Sequence, residues 1–260
     1  MFVAHLQRTY EFTYMLRSLG VREPFLQGFL LTGAGFLLNN LPLSAGLVMR
    51  AAVLKRDYAL SYTRYLSLVT VNALVNVALA ALLGLGALWF SGSLRSTGSL
   101  ALPAVFASIL IGSVVVVCWP TKFLPTGQAY VWRRARAFLE GVVELRGNGG
   151  RLLWLGVLAA CRIAVAGLRV WICFAAVGTE ISPFAASALA STAILFTLFN
   201  VTPGNLGLRE LAMGGVTAAL GSSYAFGIAA ASIDRVVLLG YTVVSGLPGI
   251  WSLRSRARTP

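Results

Sequence analysis

Charged side chains stand inside apolar segments of this sequence, where each needs a partner or a ligand. Arg162 and Arg169 are seven residues apart and would share one helix face, and Asp234 and Arg235 are adjacent in the last apolar stretch. An ionised side chain at the centre of a bilayer costs at least about 2.5 kcal/mol, so each should face protein or water. Three of these four charges are positive, which predicts a cationic interior.

A cationic interior suits an anionic ligand. Arg50 has no acid near it in the sequence, and Arg209 is followed by Glu210. Arginine can donate two hydrogen bonds to phosphate oxygens, so we expect Arg50 and Arg209 to hold a phosphate-bearing lipid head group. In the alternative, Arg162 and Arg169 extend towards the interface or pair structurally with the acids. The candidate substrate-binding residues are Arg50, Arg162, Arg169, Arg209, Glu210, Asp234 and Arg235.

Other chemistry has little support in the sequence. The one histidine, His5, lies outside the apolar spans, and no carboxylate pair, Gly-x-Ser-x-Gly motif or cluster of metal ligands occurs. Cys118, Cys161 and Cys173 fall in or at the ends of apolar stretches without a Cys-x-x-Cys spacing, as buried thiols do. We therefore expect no enzyme activity, no catalytic residue, no metal and no cofactor.

Two similar breaks interrupt apolar segments that are far apart in the chain. LLNNLPLSAGLVMR runs from Leu37 to Arg50, and LFNVTPGNLGLRE runs from Leu198 to Glu210. Pro and Gly stop a helix inside an apolar stretch, and paired breaks in a membrane protein point to a transporter's substrate site. Helices restarting near Ala45 and Leu206 would direct free N–H groups at an anion. The break residues are Asn39, Pro42, Gly46, Asn200, Pro203, Gly204 and Gly207.

The elements that carry these residues are predicted to be membrane helices. The 260 residues are 58% hydrophobic and 11% charged, with a mean hydropathy of +0.81, which excludes an ordinary soluble domain. Without alternation at period two, the apolar stretches favour helices over barrel strands. The fold class is all-α, a polytopic integral membrane protein with about four full spans and two re-entrant helical hairpins. The predicted spans are Tyr62 to Phe90, Leu100 to Trp119, Leu152 to Val177 and Ala225 to Leu253.

Basic residues predict how these helices are oriented in the membrane. The net charge of +13 reflects this orientation, so we expect no nucleic acid as a partner. The chain would be a multi-pass protein of a plasma membrane with a cytoplasmic C-terminus. Lysine and arginine concentrate in four stretches that we place in the cytoplasm: residues 8–22, 50–64, 122–151 and 254–258.

The same charge pattern predicts the organisation of a single membrane domain, residues 1–260. Residues 1–24 would form an N-terminal interfacial segment, and 120–150 a cytoplasmic amphipathic segment. Residues 25–57 would enter from the cytoplasm and return as a re-entrant hairpin, and 184–221 would do so from the opposite face. This inverted-repeat arrangement would bring both breaks together near the bilayer midplane. In the alternative, each break is a kink or a loop between two short spans.

These motifs resemble those of a known family, the flippase-like membrane domain of lysylphosphatidylglycerol synthases and its stand-alone relatives. The family's early pattern, Asn, then Pro, then Gly-x-x-x-Arg, is similar to Asn39, Pro42 and Gly46 to Arg50. Its late pattern, Pro-Gly-x-x-Gly-x-Arg-Glu, matches residues 203–210, and a later Arg in an apolar span matches Arg235.

The resemblance covers residues from about 9 to 253 and departs from the family in two places. The family usually has a spanning helix before the segment that corresponds to Tyr10 to Gly20, which predicts a truncated or late start for this chain. It also has an acidic residue and an Arg in the span after the first motif, whereas Val69 to Asn76 is uncharged here. The resemblance implies movement or handling of anionic or phosphate-bearing lipids, without lipid modification, in a bacterium or archaeon.

A second hypothesis is a non-catalytic membrane partner of a glycosyltransferase or another cell-envelope enzyme. It would act through the amphipathic pattern between Gln128 and Arg146, whose basic cluster is Arg133, Arg134 and Arg136. The same pattern suits either binding to an anionic leaflet or a solvated linker helix.

Overall fold

The computed structural model describes residues 1–41, 45–91, 100–118, 149–196 and 205–258, and the regular elements in these ranges are α-helices. The all-α fold predicted from the sequence is therefore confirmed. In chain order the helices are α1 (Phe2–Ser18), α2 (Phe25–Leu38), α3 (Ala45–Tyr58), α4 (Tyr62–Phe90), α5 (Ala101–Cys118), α6 (Gly149–Ala176), α7 (Pro183–Phe196), α8 (Leu208–Ala219) and α9 (Tyr224–Arg258).

Three helices of the described residues are long and apolar enough to cross a membrane, namely α4, α6 and the part of α9 from Tyr224 to Ser255. Helices α2, α7 and the Ala101–Val116 part of α5 are apolar but shorter. A polytopic helical membrane protein is thus confirmed. Helix α5, predicted as a fourth full span from Leu100 to Trp119, is described from Ala101 to Cys118. Its role as a span and the inverted arrangement of the two hairpins stay predictions.

Both breaks fall between helices that end and restart close to the predicted positions. Helix α2 ends at Leu38 and α3 begins at Ala45, as predicted. Helix α8 begins at Leu208 rather than near Leu206, because Gly207 adopts a φ of +85° and turns the chain immediately before the helix. Several predicted residues lie outside the described ones: Pro42, Asn200, Pro203, Gly204, and the segment 119–148 with Arg133, Arg134 and Arg136.

Small residues allow α2 and α9 to approach each other closely. A Cβ atom on Gly249 would overlap the carbonyl oxygen of Leu30, and one on Gly246 would come within 2.5 Å of the Leu37 Cβ. Close backbone approach of this kind is how helices associate in a lipid environment, where apolar burial supplies little driving force. The contact places the end of α2, with the first break, beside the middle of α9.

Helix α1 packs against α2 and α6, and it buries polar residues. His5, Thr9 and Glu11 are each at most 2% exposed. The sequence did not predict this burial, because charged residues interrupt the segment, which was therefore assigned to the membrane interface. Its position relative to the bilayer stays a prediction, but its packing makes α1 one wall of the site described below.

Candidate functional site

A cavity of about 380 Å³ lies between the two breaks. Asn39 and Asn40 line it from the end of α2, and Asn205 and Arg209 line it from the start of α8. Helices α1, α6 and α9 supply the remaining described walls. The structure therefore brings residues of both sequence motifs to one cavity, although they are more than 160 residues apart in the chain.

Arginines dominate the charged lining of this cavity. Arg169 and Arg209 both donate hydrogen bonds to Asp234, whose side chain is completely buried. Arg169 uses both prongs of its guanidinium, Nε to Oδ1 and Nη2 to Oδ2, the second at 3.3 Å. A single carboxylate on α9 thus joins α6 and α8 through two charge-assisted contacts.

A second ion pair fixes the start of α8. Arg235 Nη1 donates to Glu210 Oε1 at 2.7 Å, and the other carboxylate oxygen of Glu210 accepts the N–H of Gly207 at 2.9 Å. Glu210 therefore caps the first turn of α8 and links it to α9 at the same time. The structure explains the Gly-x-Arg-Glu part of the motif. Gly207 makes the turn before α8, while Arg209 and Glu210 bind Asp234 and Arg235 of α9.

The first break has a different arrangement. The side chain of Asn40, not Asn39, bonds the end of α2, with Nδ2 donating to the Phe36 carbonyl at 3.0 Å. Asn39 lines the cavity and packs against Gly46, where a Cβ atom would lie 2.5 Å from Asn39 Oδ1. In the described residues it is therefore Asn40 that satisfies the backbone at the first break.

Arg8 of α1 is the fourth arginine of the cavity, after Arg169, Arg209 and Arg235. In the part of the chain that the structure describes, its guanidinium has no carboxylate partner and no hydrogen bond. It lies over the Phe36 ring, with 4.9 Å between Cζ and the ring centroid. The Arg8 side chain is exposed, so its guanidinium remains charged at neutral pH.

The other two candidate arginines are not at the cavity. Arg50 lies beside Gly35, with its Cζ 5.9 Å from the centroid of the Phe12 ring, and its Nε has no hydrogen-bond partner among the described residues. Arg162 pairs with Glu11 at 3.3 Å, and Glu11 also accepts a 3.4 Å hydrogen bond from Asn76. The predicted structural pairing with Asp234 therefore holds for Arg169, whereas Arg162 takes a partner from α1.

Sequence analysis missed Arg8 and Glu11 as members of the charged interior. A signal was present, since His5, Arg8 and Phe12 recur at intervals of three and four residues and would share one helix face. Glu11 follows Arg8 by three residues on the same side. The low hydrophobicity of the segment led instead to an interfacial assignment.

His5 is held as a neutral imidazole beside the cavity. Its Nε2 must carry the hydrogen because it contacts the Phe29 carbonyl at 3.1 Å, which leaves Nδ1 to accept from the Tyr241 hydroxyl at 2.9 Å. The ring also stacks on Phe29, with centroids 3.9 Å apart. Burial lowers the pKa of His5 below its usual value of 6.5, with the charge of Arg8 acting in the same direction.

This environment predicts a loss of stability in mild acid. The unfolded chain takes up a proton on His5 near pH 6.5, while the folded chain resists it, so stability is complete above that pH and falls as the pH is lowered through it. The slope is at most about 1.4 kcal/mol per pH unit. Thermal unfolding of the detergent-solubilised protein between pH 5.5 and 8 measures it. Because the sequence holds one histidine, His5→Phe should flatten the profile, and an unchanged profile would assign the effect to another group.

A comparison with family models gives a match over most of this chain. Residues 1–246 match the family described as lysylphosphatidylglycerol synthase TM region. The match covers most of the chain and confirms the resemblance that its motifs indicated. Comparisons with curated proteins and with solved structures give no match.

Proposed function

Because the chain belongs to the lysylphosphatidylglycerol synthase transmembrane-region family, a group related to lipid modification and transport, we propose that it moves a phosphate-bearing lipid between the leaflets of a membrane. The lipid head group would occupy the cavity between the two breaks, and its chains would remain in the surrounding bilayer. The volume of about 380 Å³ is in the range of small-molecule sites, which suits a head group rather than a whole lipid.

The observation that carries this proposal is the charge of the cavity. Four arginines line it, and the carboxylates bonded to them are Asp234 and Glu210, which leaves two positive charges without a counter-charge among the described side chains. The undescribed parts of the two breaks, residues 42–44 and 197–204, contain no ionisable residue. Uncompensated charge in a membrane interior is costly, and an anionic head group would offset it.

Arg209 and Arg8 would hold the phosphate. Arg209 already shares Asp234 with Arg169, so a phosphate can draw it away while Asp234 keeps one partner. The Nε–H of Arg209 is buried and has no hydrogen-bond partner within the described ranges, and it is free to donate. This exchange requires no bond to form or break in the lipid, in keeping with the proposal that the chain is not an enzyme.

Reconstitution into vesicles tests the proposal. We expect the wild-type chain to accelerate movement of a fluorescent phosphatidylglycerol between leaflets relative to protein-free vesicles, and Arg209→Gln to reduce this rate at least about tenfold. Arg254→Gln is the matched control, because Arg254 is exposed near the end of α9 and does not line the cavity. Full activity of Arg209→Gln at equal reconstitution would refute the assignment of Arg209, and a wild-type rate equal to that of empty vesicles would refute transport of this lipid.

A further inference from the structure

Resting on the proposed function, the charges of the cavity also indicate which class of lipid it prefers. We infer that its preferred ligand is a lipid that ends in a phosphomonoester, with two negative charges on the head group, rather than a phosphodiester lipid with one. The surplus over Asp234 and Glu210 is two positive charges among the described side chains. A phosphodiester would leave one of them uncompensated.

The other described side chains that line the cavity add no charge to this balance. Burial lowers the pKa of His5, so its ring is neutral at pH 8 and adds no charge. Arg162 and Glu11 form a pair of their own behind the lining. The charge of the ligand is therefore the quantity that the cavity selects.

The arrangement of donors agrees with a terminal phosphate. A phosphomonoester has three non-ester oxygens, against two in a phosphodiester, and it can receive more than one guanidinium. Arg8 lines the cavity and makes no hydrogen bond within the described ranges, so its N–H donors are available to a ligand. Arg209 lines the same cavity and has an unused Nε–H. A terminal phosphate has enough oxygens to accept hydrogen bonds from both guanidinium groups.

Arg8 determines the preference for charge in this arrangement. It is the lining arginine that has no carboxylate among the described residues, whereas Arg169, Arg209 and Arg235 each contact one. Replacing it with Gln lowers the surplus from two charges to one and leaves the two ion-pair groups intact. In Arg8→Gln the affinity for the phosphomonoester should therefore fall more than the affinity for the phosphodiester.

A binding comparison at pH 8 tests this inference. The full chain in detergent is titrated with dioctanoyl phosphatidic acid and with dioctanoyl phosphatidylglycerol, which have the same chains and differ in the head group. At this pH the phosphomonoester carries close to two charges, since its second ionisation is near pH 6. We expect the wild type to bind phosphatidic acid at least about tenfold more tightly. Arg8→Gln should bring the ratio close to one, and Arg8→Lys and Arg254→Gln should keep it.

Each contrary result has a distinct meaning. Equal affinity of the wild type for both lipids, or an unchanged affinity ratio in Arg8→Gln, would overturn the inference. Neither result would contradict the movement of phosphodiester lipids in vesicles. Inorganic phosphate alone, used as a third probe, should bind far more weakly than phosphatidic acid. Equal binding of inorganic phosphate would overturn the assignment to a lipid. If neither phosphatidic acid nor phosphatidylglycerol moved between the leaflets of the vesicles while the binding ratio stayed intact, the proposed function would be refuted instead.

Discussion

Replacing Asp234 with Asn should destabilise the folded protein by about 3–5 kcal/mol, the cost of removing one partner from a buried ion pair. Asp234 is completely buried and receives Arg169 from α6 and Arg209 from α8. Asn retains the size and one acceptor oxygen but loses the negative charge, which leaves two mutually repelling guanidinium groups. Thermal or denaturant unfolding in detergent, with the yield of monodisperse protein, measures the effect.

Matched variants separate lost charge balance from lost packing. Arg169→Gln leaves Asp234 paired with Arg209, so its destabilisation should be clearly smaller. Adding Arg169→Gln to Asp234→Asn removes one of the repelling cations and should recover part of the stability, a non-additive result expected for neighbours in one network. A stability of Asp234→Asn within about 0.5 kcal/mol of wild type would contradict the role of Asp234 as the shared counter-charge.

The membrane helices could be predicted from the sequence because length and apolar composition decide them. Helix α4 has the predicted limits, Tyr62 and Phe90, and α3 begins at the predicted Ala45. The ends of α6 and α9 differ from prediction by up to five residues, because an apolar window does not register the polar turns that continue a helix beyond the bilayer core. At the second break, Gly207 and Glu210 set the start of α8 through a turn and a cap.

The charged site could be predicted only in part. Arg169, Arg209, Asp234 and Arg235 stand in or beside apolar stretches, where the cost of burying a charge makes them conspicuous. The pairing of Glu11 with Arg162 joins residues 151 positions apart, and no local spacing encodes it.

The cavity is lined by Arg8 instead of the predicted Arg50, again because local sequence does not encode which distant elements come together. The motif predicts that α3 carries an arginine after the first break but not which side of the hairpin that arginine faces. In the structure it packs beside Gly35 and over Phe12. The wall that the sequence assigned to Arg50 is supplied by α1, whose polar composition concealed its burial.

Gly46→Ala should destabilise the protein by about 1–3 kcal/mol, the usual cost of overpacking. A Cβ atom at this position would overlap the carbonyl oxygen of Gly35 and lie 2.5 Å from Asn39 Oδ1. The higher helix propensity of Ala offers at most about 1 kcal/mol in return, and a backbone carbonyl in the facing helix cannot move aside as a side chain can. To make room for the added methyl group, α2 and α3, the two helices that flank the first break, must move apart.

Gly215→Ala is the control for this substitution, because Gly215 also lies inside a helix but has nothing within 4 Å of an added Cβ. It should leave stability unchanged or raise it by up to about 1 kcal/mol. Unfolding midpoints of both variants are measured in the same detergent. A lower midpoint for Gly46→Ala, with no loss for Gly215→Ala, would show that Gly46 is needed for the close approach of the helices. If Gly46→Ala were as stable as Gly215→Ala, the requirement for glycine in the first motif would have to come from another source, such as the approach of a head group to the broken backbone.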